Sequence, residues 1–276
     1  MKRFFIFGLG YTASRIAALL EEDGWEVLST GDDGTLSFDD SGNVLLALTD
    51  ASHVLSSVPP GGDGTDPVLE RYGEALAGKW LGYLSSTGVY GDTGGTPVDE
   101  GDRVNPTTER SRRRVLAEQR WLILRHQRGL PVHLFRLAGI YGPHRSIFDR
   151  VRTGTAQRIN KPGHKFSRIH VDDIATVLQA SIEKPRGGAI YNVCDDRPAM
   201  PAHVTGYACK LLGKTLPQAI SFEDAQKTMT PMAQSFWRDN RKVDNSRLKF
   251  ELGVSLAYPD YKKGLESILE VEENEN

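Results

Sequence analysis

The turn that follows the first apolar run constrains this chain more than any other segment. The run Arg3–Phe7 reads as a buried β-strand, and the pattern Gly8-x-Gly10-x-x-Ala13 leads from it directly into a helical pattern. Glycine at position 8 permits a tight turn, glycine at position 10 lets the backbone approach a pyrophosphate, and a small residue at position 13 lets helix and strand pack. The same glycines could serve packing alone, but their place in the first strand–turn–helix unit predicts dinucleotide binding.

The expected ligand contacts lie at the start of that helix and at the end of the second strand. A pyrophosphate would accept hydrogen bonds from free N–H groups of the first helical turn, which includes Tyr11 and Thr12. The second strand ends in LSTGDDG, which places Gly31, Asp32 or Asp33 near the adenosine ribose. A carboxylate there, as at Asp32, would accept the ribose 2′-hydroxyl and repel a 2′-phosphate. This carboxylate favours NAD over NADP as the cofactor. Asp-Asp-Gly is also an ordinary turn sequence, which leaves the choice of dinucleotide open.

Strand and helix patterns alternate along the first half of the chain. Strands are predicted at residues 3–7, 25–29, 35–38, 53–58, 80–87 and 131–137, and helices at residues 12–24, 44–48, 67–77 and 108–128. Short loops between such units imply a parallel sheet with helices on both faces. We therefore expect an α/β fold with a doubly wound parallel sheet in residues 1–143. Residues 144–276 are expected to add further strands and a small, mainly helical lobe.

Composition narrows the class of partner. The formal net charge is −2, and the two cysteines, Cys194 and Cys209, are not part of a CxxC pair. A nearly neutral chain has no general attraction for nucleic acid or an anionic membrane, and this cysteine usage indicates a reducing compartment and no zinc site. The amino-terminal apolar run is too short for a signal peptide, and no stretch approaches the roughly 18 apolar residues of a membrane span. We expect a cytoplasmic protein that binds small molecules and no metal.

Four further segments carry a resemblance to a known family. They are YLSSTGVYGD (residues 83–92), FRLAGIYGP (135–143), RIHVDDIA (168–175) and YNVCDDRP (191–198). In their order and spacing the chain resembles the extended short-chain dehydrogenase/reductases, the NAD-dependent epimerase/dehydratase family. The resemblance implies a Rossmann domain that carries a nicotinamide cofactor and a C-terminal lobe that closes over a substrate, often a nucleotide sugar. It also implies a homodimer formed by the helices at residues 67–77 and 108–128.

The resemblance places the family's catalytic serine or threonine on Ser86. Its hydroxyl would hydrogen-bond the reacting hydroxyl or carbonyl group of a substrate. Sugar dehydratases of the family carry an acidic pair directly after this residue, whereas this chain has Thr87 and Gly88 there, which argues against dehydratase chemistry. The alternative is that the hydroxyls at this strand end only satisfy backbone groups.

The family's YxxxK motif falls on Arg110 and Arg114, within the segment NPTTERSRRR. Arg114 would keep the lysine's contact with the nicotinamide ribose. Arg110 cannot replace the tyrosine as a proton shuttle, because a guanidinium stays protonated at neutral pH. Residues 110 and 114 share a helix face, which we expect to border the cleft and bind an anion, with Arg112 and Arg113 on the surface. The alternative is that the whole arginine block is a solvated helix face.

The remaining site residues follow from the same alignment and the same edge of the sheet. We expect the cofactor to contact Gly8, Gly10, Tyr11, Thr12, Asp32, Val58, Pro59, Ser85, Arg114 and Leu137. We expect the substrate to contact Thr87, Tyr141, Arg145 and Arg168. Either Tyr90 or Tyr141 could supply a displaced proton donor.

Two functions fit these residues. The first is an NAD(P)-dependent oxidoreductase or epimerase that acts on a small anionic or sugar-like substrate, with Ser86, Arg110 and Arg114 at the reacting end. The second is a catalytically silent NAD(P)-binding sensor or scaffold. Retention of Ser86 supports the first function, and loss of the tyrosine supports the second.

Overall fold

The computed structural model describes residues 2–274 as alternating strands and helices. The strands are β1 (Arg3–Phe7), β2 (Glu26–Thr30), β3 (His53–Ser56), β4 (Trp80–Ser86), β5 (Pro97–Val98), β6 (Val132–Leu137), β7 (Gly139–Tyr141), β8 (Arg158–Asn160), β9 (Arg168–His170), β10 (Ile190–Val193), β11 (Ala219–Ser221) and β12 (Lys242–Val243). The helices are α1 (Tyr11–Glu22), α2 (Ser41–Asp50), α3 (Pro67–Tyr72), α4 (Glu109–Arg128), α5 (Phe148–Arg152), α6 (Val171–Glu183), α7 (Pro201–Leu211), α8 (Phe222–Ala225), α9 (Pro231–Arg238), α10 (Ser246–Leu252) and α11 (Tyr261–Asn274). Short 3-10 turns lie at Gly73–Leu76, Thr87–Tyr90 and Gln226–Thr228.

Six parallel strands form the central sheet, in the order β10-β6-β4-β3-β1-β2. The strands on either side of β1 are β2 and β3, so the chain reverses its direction of winding there, and the carboxyl ends at such a point form the crevice in which open α/β sheets bind ligands. The expected doubly wound Rossmann-type fold is therefore confirmed.

Alternating side chains of β1 cover both faces of the sheet. Phe4 and Ile6 pack in a buried cluster with residues of α1, α6 and α10. Phe5 and Phe7 pack in a second cluster with residues of α2, α3 and α4. Because both faces are covered, the central strands read in the sequence as continuous apolar runs.

The strand predicted at residues 35–38 is wrong. Gly34 turns back so tightly that a Cβ there would lie 2.5 Å from the carbonyl carbon of Thr30. The segment then meets β2 through an isolated bridge between Thr30 and Leu36 and does not join the sheet as a strand. Its partly buried apolar side chains pack against the core from a loop, since Phe38 lies edge-on against Tyr72 with ring centroids 5.4 Å apart.

The helix predicted at residues 108–128 is α4, and it carries the arginine block to the edge of the crevice. Thr108 caps its amino terminus by accepting a hydrogen bond from the Ser111 N–H at 3.2 Å, and Gly129 ends it in a left-handed conformation. Trp121 fixes the helix on the sheet, because it stacks on Tyr83 and its indole N–H donates to Asp66 at 2.8 Å.

The second half of the chain adds the edge strand β10 to the central sheet and builds a small lobe. Three two-stranded parallel pairs, β5–β12, β7–β9 and β8–β11, join segments far apart in sequence. Asp173, at the start of α6, accepts backbone hydrogen bonds from Ala257 and Tyr258 and so holds the segment before α11. Within residues 2–274, no helix has both the length and the apolar character needed to cross a bilayer.

Candidate functional site

A cavity of about 770 Å³ lies between the carboxyl ends of the central strands and the lobe. Its walls come from the first turn of α1, the ends of β4 and β6, the first turns of α4, and the segments around β7, β9 and α9. Cavities of this size are typical of sites that bind small ligands and cofactors. Some of the residues predicted from the sequence line this cavity, and others lie outside its wall.

The glycine turn after β1 is held by hydrogen bonds to the end of β2 and to the residue that follows β3. The N–H groups of Gly8 and Leu9 donate to the Thr30 carbonyl at 3.0 and 2.6 Å, and the Ser57 hydroxyl donates to the Gly8 carbonyl. Gly8 has a φ of +83°, and a Cβ there would lie 2.9 Å from Ser57 Oγ and 3.2 Å from a Val58 methyl. Glycine is therefore required at this position by both conformation and space.

Gly10 leaves the entrance to α1 open. It is the N-cap of the helix, with φ −117° and ψ −174°, and among residues 2–274 no side chain caps it. A Cβ at Gly10 would meet nothing within 4 Å. Gly10, Tyr11 and Thr12 line the cavity, so the amino-terminal turn of α1, with its partial positive charge, borders open space. This arrangement fits the pyrophosphate of a dinucleotide.

The other predicted cofactor contacts divide into two groups. Ser85, Arg114 and Leu137 line the cavity. Gly8, Asp32, Val58 and Pro59 do not: Gly8 and Val58 form the support of the turn, and Asp32 and Pro59 are exposed in loops beside it. Ser57, which begins the segment SVPPGGDG expected to border the cofactor but was not singled out as a contact, both lines the cavity and holds Gly8. The signal was a second hydroxyl residue directly after β3, in the segment SSVPP.

Ser85 and Ser86 point in different directions at the end of β4. The Ser85 hydroxyl donates to the buried carboxylate of Glu118 at 2.5 Å. The Ser86 Oγ accepts the Gly88 N–H at 3.1 Å and lines the cavity. Ser86 thus satisfies a backbone group at the strand end, and it also presents its hydroxyl to the cavity.

The two arginines at the YxxxK positions face the cavity. Arg114 donates to the Tyr83 hydroxyl at 2.8 Å and to the Leu84 carbonyl at 3.0 Å, which fixes its guanidinium beside the end of β4. Arg110 lies 4.9 Å from the ring of Phe236, which reaches across from α9. Arg112 and Arg113 instead pair with exposed Glu109 on the outside of α4, each at 3.2 Å.

Ser111 is a cavity residue that the sequence reasoning did not select. It is 8% exposed, it lines the cavity, and its Oγ accepts the Thr108 hydroxyl at 2.9 Å. It directly follows Arg110 in the sequence and lies between the two positions, 110 and 114, that align with the family's motif.

Neither alternative tyrosine is placed to exchange a proton with a ligand. Tyr90 is 1% exposed and lies outside the cavity wall, donating to Asn192 Oδ1 at 2.8 Å; burial raises its pKa. Tyr141 lines the cavity, but its hydroxyl lies against Gly264 and donates to the Asp260 carbonyl at 3.5 Å. Burial also raises the pKa of Tyr141, so it stays a neutral phenol.

The cavity wall is strongly cationic. Within residues 2–274 its lining contains six basic side chains and one acidic side chain, Asp239; the basic residues are Arg110, Arg114, Arg145, Lys165, Arg168 and Arg241. The predicted substrate contacts Thr87, Tyr141, Arg145 and Arg168 all belong to the lining.

Several of these cations already have acceptors within the chain. Arg168 donates to the carbonyls of Phe166 and Ala199 at 2.9 and 3.1 Å. Arg241 donates to the Gly91 carbonyl at 3.0 Å and pairs with Asp239 at 2.9 Å. No group of three or more His, Cys, Asp and Glu side chains in the described part of the chain is arranged to hold a metal ion.

Comparison with known proteins gives three kinds of similarity. Residues 63–194 match the model of the NAD dependent epimerase/dehydratase family. The chain is 31% identical over 291 residues to Protein YeeZ from Escherichia coli K12, covering 94% of this chain and 97% of that protein.

Solved structures are similar along the whole chain. A functionally unknown conserved protein from Silicibacter pomeroyi is 43% identical, with a TM-score of 0.88 and coverage of 98% of this chain and 99% of that one. The dTDP-glucose 4,6-dehydratase from Bacillus anthracis, solved with NAD, is 17% identical, with a TM-score of 0.79 and coverage of 99% and 97%. The second likeness concerns the fold alone.

Proposed function

The chain belongs to the NAD-dependent epimerase/dehydratase family, and from this premise we propose that it is an NAD(P)-dependent oxidoreductase or epimerase acting on a small anionic or sugar-like substrate. The observation that carries the proposal is that the open turn at Gly10 and the side chains of Ser86 and Arg114 border one and the same cavity. A ligand bound on that turn and a second small molecule can therefore meet inside it.

The residues around the turn fit a dinucleotide. Gly10 leaves room for a pyrophosphate, and the first turn of α1 offers N–H donors and a partial positive charge. Arg114, held by Tyr83 and Leu84, would contact the nicotinamide ribose, and Leu137 would line the nicotinamide end. NAD or NADP, when bound, supplies hydride-transfer chemistry.

The chain's own groups at the reacting end bind and orient. Ser86 would hydrogen-bond the substrate, and the guanidinium of Arg110 would hold an anionic group beside it. A guanidinium does not release its proton at neutral pH, so Arg110 stabilises charge and does not act as a general acid–base.

A second function is a catalytically silent NAD(P)-binding sensor or scaffold. It is favoured by the loss of the tyrosine at position 110 together with the sequestered hydroxyls of Tyr90 and Tyr141. We further propose a homodimer through α3 and α4, which the resemblance to the family implies.

The two functions separate in one pair of assays. Binding of NADH and NADPH is measured by fluorescence, and turnover is followed by nicotinamide absorbance with a panel of sugar nucleotides and hydroxy acids. The enzyme proposal expects micromolar dinucleotide binding and turnover of at least one compound. Binding without any turnover favours the sensor, and absence of dinucleotide binding contradicts both functions.

A further inference from the structure

One corner of the cavity is built almost entirely from hydrogen-bond donors. A Cβ at Gly88 would lie 3.0 Å from Ser111 Oγ and 3.3 Å from Ser86 Oγ, so the two hydroxyls converge on the space that this glycine leaves empty. Arg110 borders the same cavity from the preceding position of α4. We call Ser86, Gly88, Arg110 and Ser111 the donor corner.

Each hydroxyl of the donor corner already accepts a hydrogen bond from the protein. Ser86 Oγ accepts the Gly88 N–H at 3.1 Å, and Ser111 Oγ accepts the Thr108 hydroxyl at 2.9 Å. Since a serine hydroxyl carries one hydrogen of its own, both side chains can still donate toward the cavity.

Arg110 adds the positive charge of the corner. Its guanidinium contacts the Phe236 ring at 4.9 Å, and within residues 2–274 it has no hydrogen-bond acceptor or ion-pair partner. The acidic side chain of the cavity lining, Asp239, accepts from the Thr107 hydroxyl at 2.6 Å and pairs with Arg241 at 2.9 Å. The protein therefore supplies two hydroxyl donors and a cation here and leaves the acceptor to a ligand.

We propose that the donor corner binds a carboxylate of the substrate, which makes the substrate a hydroxy or oxo carboxylic acid with its acid group beside the reacting carbon. This inference rests on the proposed function. A carboxylate has two acceptor oxygens and no donor, which matches a planar guanidinium fork and convergent hydroxyls. A neutral alcohol would leave the cation of Arg110 uncompensated.

Gly88 gives the proposal a steric test that leaves the charge unchanged. Gly88 lies outside the positive-φ region, so alanine is compatible with its backbone, while the added methyl would occupy the space between the two hydroxyls. Arg110→Gln removes the charge from an exposed side chain without breaking a hydrogen bond of the fold. Arg112→Gln is the matched control, because Arg112 pairs with exposed Glu109 on the outer face of α4 and does not line the cavity formed by the described residues.

The experiment is calorimetric titration of malonate into the NADH-saturated protein, with neutral malonamide as the matched probe. We expect the wild type and Arg112→Gln to bind malonate alike and none of the proteins to bind malonamide. Arg110→Gln and Gly88→Ala should each weaken malonate binding at least about tenfold, the size expected for losing a hydrogen bond to a charged group.

NADH affinity, measured first on every variant, separates the two proposals. If the wild type does not bind NADH, the proposed function fails. If all variants bind NADH normally and Arg110→Gln and Gly88→Ala bind malonate as tightly as the wild type, the donor corner is not a carboxylate site. Equal binding of malonamide overturns the inference as well.

Discussion

Arg136 and Glu118 form a buried ion pair directly behind the cavity wall. The Arg136 Nη2 and Nε atoms lie 2.8 and 3.1 Å from the two carboxylate oxygens of Glu118, and both side chains are at most 5% exposed. Burial alone lowers the pKa of Arg136, but its hydrogen bonds to Glu118 raise it above the ordinary value. Arg136 also donates to the Tyr90 hydroxyl and Glu118 accepts from Ser85, so the pair ties α4 to β4 and β6 where Ser86 emerges.

Glu118→Ala should lower the free energy of unfolding by about 3–5 kcal/mol, because it leaves the guanidinium of Arg136 buried without its partner. Urea unfolding followed by circular dichroism measures the change. Glu109→Ala, which removes an exposed partner of Arg112, should cost about 1 kcal/mol or less. Equal losses in the two variants would mean that the buried pair contributes no more than a surface one.

Arg114→Ala should weaken NADH binding about tenfold to a hundredfold, since the wild-type guanidinium is held at the cavity wall by Tyr83 and Leu84. Arg112→Ala should leave the dissociation constant unchanged, because that side chain points away from the cavity. Fluorescence titration gives both values. Equal effects from the two substitutions would contradict the assignment of Arg114 to the cavity face of α4 and Arg112 to its outer face.

His133 should make the protein less stable in acid. Burial lowers its pKa to about 4, and its Nε2 accepts the Arg186 N–H at 3.0 Å, which requires the neutral ring. Because the unfolded chain binds this proton at a pKa of about 6.5, the unfolded state gains protons first as pH falls. The group therefore costs no stability above pH 6.5 and progressively more between pH 6.5 and 4.

The variant His133→Gln isolates this effect. Between pH 7 and pH 4 the unfolding free energy of the wild type should fall by on the order of 3 kcal/mol more than that of the variant. Urea midpoints at several pH values provide the comparison. Burial raises the pKa values of Asp173 and Asp195 to about 6 and about 8, so these two carboxyl groups stabilise the folded state as pH falls, opposite to His133. Their contributions cancel because the wild type and the variant share them. Parallel pH profiles would show that His133 is not a neutral histidine.

Leu116 and Ile123 mark the surface of α4 through which we expect a homodimer. They are 45% and 46% exposed and lie seven residues apart, on one side of the helix. Sedimentation velocity should show a dimer for the wild type and a monomer for Leu116→Glu combined with Ile123→Glu. Phe250→Glu, at a 90% exposed position on α10, should remain dimeric. A monomeric wild type at micromolar concentration would contradict the dimer.

The central sheet could be predicted from the sequence because each strand is a local apolar run followed by a turn signal. The prediction of a strand at residues 35–38 was wrong for a physical reason. Leu36 and Phe38 pack against the core from a loop, and periodicity cannot distinguish such a segment from a strand. The lobe was less predictable, since β5 and β12 pair only two residues each across a long separation.

Site residues could be predicted from the sequence where backbone conformation or helix period alone fixes their position. Glycine at position 8 and the shared face of residues 110 and 114 follow from backbone conformation and helix period, and the structure places Arg110 and Arg114 at the cavity. Ser111 was missed because it lies outside the aligned motif positions, and Ser57 was not singled out because a hydroxyl residue after a strand does not by itself show which group it will contact. The orientations of Tyr90 and Tyr141 could not be predicted from the sequence either. The Tyr90 hydroxyl contacts Asn192 and the Tyr141 hydroxyl lies against Gly264, and both neighbours are far away in sequence.

Calorimetric titration of NADH into the wild type and Gly10→Ala tests the central claim most directly. The variant should fold normally, since Gly10 has an ordinary φ and an added Cβ meets nothing within 4 Å, yet its methyl would stand where the pyrophosphate must approach. We predict micromolar binding by the wild type and no measurable binding by the variant. Equal binding by both proteins, or none by the wild type at millimolar NADH, would contradict the dinucleotide site.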